Sequence, residues 1–123
     1  MNVVDSSGWL EYFANGRNAG FFAPAITHVE ELVVPTISLY EVFKRILQQQ
    51  GEPAAQQAVV DMAQGLIVDL DLSLALSAAK ISDAFKLPMA DSIILATARA
   101  YNATLWTQDA DLQGLPDIRY VQK

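Results

Sequence analysis

The sequence contains no cysteine and a single histidine, His28. The lack of cysteine excludes a disulfide scaffold, a thiol nucleophile, an iron–sulfur centre and a cysteine-ligated zinc site. One histidine is also too few for a metal site built from paired imidazoles. Any metal bound by this chain is therefore expected to be held by oxygen ligands.

Long apolar runs and targeting segments are also missing. No uninterrupted apolar stretch approaches the ~20 residues of a membrane-spanning helix. The start of the chain, Met-Asn-Val-Val-Asp, lacks the basic residues and apolar core of a signal peptide. With 52% hydrophobic and 18% charged residues, the composition is typical of a folded domain. We expect one domain over residues 1–123, soluble and cytoplasmic, with no membrane association.

Positive charge is scarce, since eight Lys and Arg stand against 14 Asp and Glu and the net charge is −6. A diffuse acidic surface repels nucleic acid, because phosphate contacts are mainly electrostatic. Carboxylates that converge on one spot form a cation site instead, and the bound cations change the local sign of charge. The positions of the carboxylates therefore decide which ligands are possible.

Segments of strand type alternate with segments of helix type along the chain. Strands are predicted at residues 2–4, 32–35, 66–70, 104–107 and 118–121. Helices are predicted from a Ser6 or Ser7 cap to about residue 14, at 21–25, from a Thr36 or Ser38 cap to 50, at 53–63, from an Asp71 or Ser73 cap to 85, and at 90–101. Such alternation is typical of an α/β fold whose parallel sheet is covered on both faces.

Several aspartates follow predicted strands. Asp5 follows the first strand and Asp109 the fourth, so both are expected at the carboxyl edge of the sheet, where ligands bind in open α/β folds. An aspartate at such a position is as often a turn former or a helix cap. Asp69 and Asp71 flank the end of another strand, and Asp71 is expected to cap the following helix.

Asp91 is more informative, because it falls within the apolar stripe of a helix that carries Leu87, Ile94, Leu95 and Ala98. A carboxylate on a packing face is costly unless it is paired or binds a metal. The alternative is an acid in the first helical turn that is stabilised by the helix dipole. We favour the functional interpretation.

Glu41 gives the weakest local signal. Its helix buries the side chains of Leu39, Val42 and Ile46, whereas Glu41 lies on the opposite face, four residues before Arg45. The helical periodicity alone therefore predicts a solvated Glu41–Arg45 pair.

Four segments, taken in order, resemble PIN-domain ribonucleases and, within them, the VapC toxins of toxin–antitoxin pairs. They are VVDSSGWLEYF (3–13), PTISLYEV (35–42), LPMADSIILATA (87–98) and LWTQDADL (105–112). Each segment alone is loose, but the ordered set is specific and spans nearly the whole chain. The resemblance implies a three-layer α/β/α sandwich with a central, mainly parallel sheet.

The resemblance also implies a set of site residues. The catalytic and metal-binding quartet maps onto Asp5, Glu41, Asp91 and Asp109. Auxiliary positions map onto Ser6, Thr107 and Asp111. This assignment overrules the solvated interpretation of Glu41. The motif leaves Asp109 and Asp111 as rivals for the fourth acid, and Asp109 is preferred because it lies closer to the strand end.

The implied function is that of a metal-dependent endoribonuclease, the toxin of a type II toxin–antitoxin system. Oxygen ligands favour Mg²⁺, with Mn²⁺ as a substitute, and the ion would activate a water for attack on an RNA phosphodiester. The implied partners are RNA, a VapB-like antitoxin and a second copy in a homodimer, with no organic cofactor. Aromatic residues of the first two helices are expected either in the core or in an antitoxin groove; they are Trp9, Tyr12, Phe13, Phe21 and Phe22.

Two alternatives belong to other functional classes. One is a catalytically inactive PIN-like module that only binds RNA or protein, although all four acids are present. The other is a Mg-dependent phosphotransfer domain. Receiver domains need an acidic pair after the first strand, whereas Asp5 is followed by Ser6.

Overall fold

The computed structural model describes all 123 residues and contains five strands and six α-helices. The strands are β1 (Asn2–Val4), β2 (Leu32–Pro35), β3 (Leu66–Val68), β4 (Thr104–Thr107) and β5 (Ile118–Tyr120). The helices are α1 (Ser6–Phe13), α2 (Ala19–Thr27), α3 (Thr36–Gln50), α4 (Glu52–Met62), α5 (Leu72–Phe85) and α6 (Met89–Ala100). Short 3₁₀ turns lie at Val29–Glu31 and Ala110–Leu112.

All five strands pair in parallel, in the order β3-β2-β1-β4-β5. The chain adds β2 and β3 on one side of β1 and then returns to add β4 and β5 on the other side. The strand order therefore reverses between β1 and β4. In open α/β sheets this is the place where a crevice opens at the carboxyl ends of the strands.

Helices cover both faces of the sheet. Side chains alternate along the strands, so that Val3 and Leu105 pack in one apolar cluster with α5 and α6. Val4 and Trp106 pack in a second cluster with α1 to α4. The predicted α/β/α sandwich is confirmed, and its sheet is parallel throughout.

Helix α6 is buried along most of its length, since Ser92–Ala98 are all buried. Its polar side chains are satisfied by its own backbone: Ser92 Oγ donates to the carbonyl of Met89 at 2.7 Å, and Thr97 Oγ1 donates to the carbonyl of Ile93 at 2.8 Å. The helix can therefore lie in the interior of the α/β/α sandwich with only Asp91 ionisable in its first turn.

The predicted elements agree with the structure except at some ends. The second helix is longer than the predicted 21–25, and β3 ends at Val68 rather than at residue 70. Asp71 caps α5 as expected, with its Oδ1 accepting from the amide of Leu74 at 2.8 Å. None of the helices has the length and hydropathy that a membrane span requires.

Two predicted caps are wrong. Asp5, rather than Ser6 or Ser7, caps α1, because the chain is still extended at Asp5 and its carboxylate reaches the amide of Gly8. Pro35 occupies the N-cap position of α3. The proposed caps Thr36 and Ser38 therefore lie inside the first turn.

The aromatic side chains of α1 and α2 belong mainly to the core. Trp9 and Phe22 are fully buried. Tyr12, Phe13 and Phe21 are partly buried and pack against the same cluster. Trp9 and Phe22 are therefore not available to line a groove for a partner.

Candidate active site

The site lies where β1 and β4 end side by side at the strand-order reversal. Asp5 directly follows β1, and Asp109 follows β4 by one residue. The amide of Asp5 continues the pairing of the two strands by donating to the carbonyl of Trp106 at 3.1 Å. Two acids separated by more than 100 residues in sequence are thus brought together by strand pairing.

The four acids that the resemblance predicts line one open cavity of about 330 Å³. The lining residues are Asp5, Ser6, Ser7, Leu10, Glu41, Arg45, Asp91 and Asp109. Asp91 comes from the first turn of α6 and Glu41 from the second turn of α3. Helix starts and strand ends therefore supply all four carboxylates to the same edge of the sheet.

Asp5 is held from several directions and is only 3% exposed. Its Oδ1 accepts from the amide of Gly8 at 2.8 Å, and its Oδ2 accepts from Thr107 Oγ1 at 2.5 Å. Ser7 Oγ also donates to Oδ1 and Oδ2, at 3.0 and 3.1 Å. Burial raises the pKa of Asp5 above its ordinary value, the hydrogen bonds oppose this shift, and repulsion from Asp109 adds to it.

Thr107 connects the ends of β1 and β4. While it donates to Asp5, its Oγ1 accepts from the amide of Asp109 at 2.9 Å. Asp109 in turn caps the following 3₁₀ turn, since its Oδ1 accepts from the amide of Asp111 at 2.9 Å. A single hydroxyl therefore fixes the spacing between two of the acids.

The pKa of Asp91 is also raised, by burial and by its acidic neighbours. Burial, followed by repulsion from Asp109 and its hydrogen bond with that residue, raises the pKa of Asp91 to about 7. Asp5 and Glu41 add further repulsion. Without a cation, the cavity therefore holds a proton near neutral pH, which is the response expected of carboxylates packed too closely to ionise together.

The closest grouping of carboxylates includes Asp111. One carboxylate oxygen from each of Asp91, Asp109 and Asp111 lies within 4.8 Å of the others. Two charges ~5 Å apart repel by about 3 kcal/mol at an effective dielectric constant near 20, so a cation is strongly favoured there. A donor set of oxygens without nitrogen or sulfur fits a hard ion such as Mg²⁺ or Mn²⁺. Asp5 and Glu41 line the cavity outside this tightest group.

Glu41 is half-buried and turned toward α1, where its Oε1 accepts from Ser6 Oγ at 2.6 Å. The predicted surface pair with Arg45 is wrong, because the two side chains form no ion pair. The periodicity of α3 gives no information about α1, which packs beside it and supplies the hydroxyl.

Two lining residues lay outside the predicted site. Ser7 donates to Asp5 from two residues after the cap. Serine hydroxyls often bond to groups this close in sequence, so the spacing could have indicated the contact. Arg45 also lines the cavity, whereas the helical periodicity predicts only a solvated pair with Glu41. Asp69, although it follows β3, is exposed and lies outside the cavity.

The PIN domain sequence profile matches residues 3–118, so the chain belongs to the PIN domain family. The resemblance drawn from the four motifs is thereby confirmed. No curated protein matches the chain.

Solved structures of toxin–antitoxin proteins share the fold. A toxin–antitoxin complex from Klebsiella pneumoniae has a TM-score of 0.82 and 21% identity, covering 97% of this chain and 96% of that one. VapC20 of Mycobacterium tuberculosis, a toxin that cleaves the sarcin–ricin loop, has a TM-score of 0.74 and 16% identity, covering 97% and 99%. VapBC2 of Rickettsia felis, bound to promoter DNA, has a TM-score of 0.74 and 12% identity, covering 98% and 97%.

Proposed function

We propose that residues 1–123 form a single PIN domain that acts as a metal-dependent endoribonuclease, the toxin of a type II toxin–antitoxin system. The observation that carries this proposal is the convergence of Asp5, Glu41, Asp91 and Asp109 on one open cavity. The cavity lies at the strand-order reversal of a parallel sheet, where a substrate has access. An open acidic cavity suits a polyanionic substrate only when cations occupy it. Binding of RNA at this cavity would therefore depend on the bound metal.

Asp91 and Asp109 are the proposed principal ligands, together with Asp5 and with Asp111 as an auxiliary. A bound Mg²⁺ or Mn²⁺ would lower the pKa of a water and stabilise charge on the reacting phosphate. Burial and three hydrogen-bond donors hold the Asp5 carboxylate in one orientation, so it would present a fixed oxygen to the ion. Thr107 would act as a positioning residue through its contacts with Asp5 and Asp109.

Glu41 has a different role in the proposal. Its Oε1 is occupied by the hydrogen bond from Ser6, which leaves Oε2 free to face the cavity. Oε2 would orient the attacking water and accept its proton, or help to hold a second ion. Ser6 would keep the carboxylate turned inward and away from Arg45.

The proposed partners are RNA, a VapB-like antitoxin and a second copy of the chain, in the cytoplasm. The antitoxin is supported by the structural similarity to toxin–antitoxin complexes from Klebsiella pneumoniae and Rickettsia felis. The homodimer is supported by exposed apolar side chains around the edge strand β3 and the start of α5; these include Leu66, Ile67, Leu70, Leu72 and Leu76.

The test is cleavage of a labelled total-RNA pool by purified protein free of antitoxin, with Mg²⁺ or Mn²⁺ and with EDTA. Discrete fragments are expected only with the metal. Asp5→Asn and Asp91→Asn are each expected to lower the rate about a hundredfold or more, because each removes a charged ligand of the ion. The matched control is Asp69→Asn, an exposed acid after β3, which should cleave like the wild type.

Cleavage that survives in both cavity variants would contradict the assigned site. A folded protein that binds the cations but cleaves no RNA would favour the module that only binds RNA or protein.

A further inference from the structure

The outer surface of α3 extends the acidic cavity into a neighbouring depression. This second depression is lined by Tyr40, Glu41, Lys44, Arg45 and Gln48. It shares Glu41 and Arg45 with the acidic cavity, so the two are continuous. A nucleic-acid chain that leaves the acidic cavity over α3 would therefore meet an aromatic ring, two cations and an amide.

Arg45 is the one basic side chain that lines the acidic cavity. It is exposed and forms no ion pair or hydrogen bond with the protein, although Glu41 lies one helical turn before it. Its guanidinium is thus free to bind a phosphate, for which its planar fork of donors is well suited. In a chain with a net charge of −6, such a free cation beside the carboxylates is a point of charge complementarity for RNA.

Tyr40 supplies the second element of the surface, since its side chain is 60% exposed beside the cavity. Lys44, one turn later on α3, places its Nζ 5.8 Å from the centre of the Tyr40 ring. Exposed aromatic rings next to cations are the usual platform for unpaired bases, because every base offers a face for stacking. A base within a duplex has no free face for such a contact.

We propose that this surface of α3 binds a single-stranded segment of RNA next to the cleaved bond. Arg45 contacts a phosphate beside the acidic cavity, Lys44 contacts a neighbouring phosphate, and a base stacks on Tyr40. This proposal rests on the proposed ribonuclease function. In it, Arg45 and Tyr40 bind the substrate directly, and stacking on Tyr40 favours unpaired RNA.

The first experiment measures binding of a short fluorescein-labelled oligouridine by anisotropy, in an Asp5→Asn background that prevents hydrolysis. Arg45→Ala is expected to weaken binding about tenfold and to reduce the salt dependence of log K by about 0.7, the value for one phosphate of a single strand. Tyr40→Ala is expected to weaken binding roughly ten- to a hundredfold with an unchanged salt slope. A duplex of the same length should bind without sensitivity to Tyr40→Ala.

The matched controls are Arg99→Ala and Tyr101→Ala, at the end of α6 remote from Asp91. Both should bind like the parent protein. Cation binding measured by calorimetry should be unchanged in Tyr40→Ala and not weakened in Arg45→Ala, since that change removes only a positive charge from the cavity. This result would separate loss of RNA binding on α3 from damage to the acidic site.

The second experiment is cleavage by the otherwise wild-type protein, in which Arg45→Ala should raise KM far more than it lowers kcat. If RNA binding and KM are unchanged in Arg45→Ala and Tyr40→Ala while the wild type cleaves RNA, the proposed RNA-binding surface on α3 is wrong and the proposed ribonuclease function is supported. If those variants lose RNA binding but neither they nor the wild type cleave RNA, the RNA-binding surface on α3 is supported and the hydrolytic function is wrong.

Discussion

The aspartates of the cavity combine two tasks that are often treated as alternatives. Asp5 caps α1 and Asp109 caps a 3₁₀ turn, yet both also line the acidic cavity. In each of these caps a single carboxylate oxygen, Oδ1, accepts the backbone amide. The cap also holds the side chain in one orientation, which is useful for a ligand of a metal ion.

The raised pKa of Asp91 predicts how stability responds to pH. The folded protein binds a proton that the unfolded chain, with an aspartate pKa of 3.8, has already released. The free energy of unfolding of the cation-free protein should therefore fall as the pH rises between about 4 and 7, because the folded state binds more protons there. The raised pKa of Asp5 acts in the same direction.

Thermal unfolding in EDTA checks this, with a higher Tm expected at about pH 5 than at about pH 8. Asp91→Asn should flatten the profile, whereas Asp69→Asn should leave it unchanged. Added Mg²⁺ should restore the Tm at the higher pH, because it binds only the folded state. A flat profile for the wild type would show that Asp91 is not perturbed.

Asp111 offers a second prediction for a single side chain. Its carboxylate lies in the tightest group of acids, together with those of Asp91 and Asp109. Asp111→Asn should weaken Mn²⁺ binding about tenfold or more, since a nearby charge is lost. Calorimetric titration with Mn²⁺ tests this against Asp69→Asn, and equal affinities in the two variants would exclude Asp111 as a ligand.

At the start of α1, close packing depends on Gly8. A Cβ at this position would lie 2.6 Å from the Phe22 ring and 2.7 Å from Val4 Cγ1, both of them core side chains. The amide of Gly8 also donates to Asp5. The same residue therefore sets how closely α1 approaches the sheet and where a proposed ligand lies.

Gly8→Ala should lower the free energy of unfolding by about 1–3 kcal/mol, because the added methyl overpacks the core. The matched control is Gly20→Ala in α2, where a Cβ meets no atom within 4 Å and the lower chain entropy should be neutral or slightly stabilising. Urea unfolding of both variants provides the measurement. An unchanged urea midpoint for Gly8→Ala would show that α1 moves to accommodate the methyl group without a loss of stability.

Across the whole molecule, the exposed apolar side chains concentrate around β3 and the start of α5. β3 is an edge strand, so its outer backbone groups are unpaired. Leu72 and Leu76 lie one turn apart on α5 and are 77% and 58% exposed. Such a surface is expected to be covered by a second copy of the chain.

The double variant Leu72→Glu, Leu76→Glu should therefore convert a dimer to a monomer, because it places two like charges in the proposed interface. Light scattering should give twice the mass of one chain for the wild type and the mass of one chain for the variant. Leu47→Glu is the control, since α3 packs on the other face of the sheet. A monomeric wild type would contradict the proposed homodimer.

Much of the fold could be predicted from the residues alone. The strands are apolar runs bounded by turn residues, and five predicted strands correspond to five observed ones. The errors are local: at α1 and α3 the hydroxyl residues beside the helix starts suggested caps that Asp5 and Pro35 occupy. Propensity describes which residue types suit a cap, whereas the backbone conformation at each residue decides which one takes the position.

Composition was sufficient to exclude thiol chemistry and a metal site of paired imidazoles, and the order of elements indicated a parallel α/β sheet. The four ordered motifs resembled PIN domains, which the family match confirmed. Only the tertiary structure brought Asp5, Glu41, Asp91 and Asp109 to one cavity, turned Glu41 toward Ser6 and left Arg45 free beside them. The physical reason is that helical and strand periodicities record which face of an element is buried against the core. Which side chains of different elements meet at the edge of the sheet depends on strand order and helix placement, and these arise from packing between distant segments.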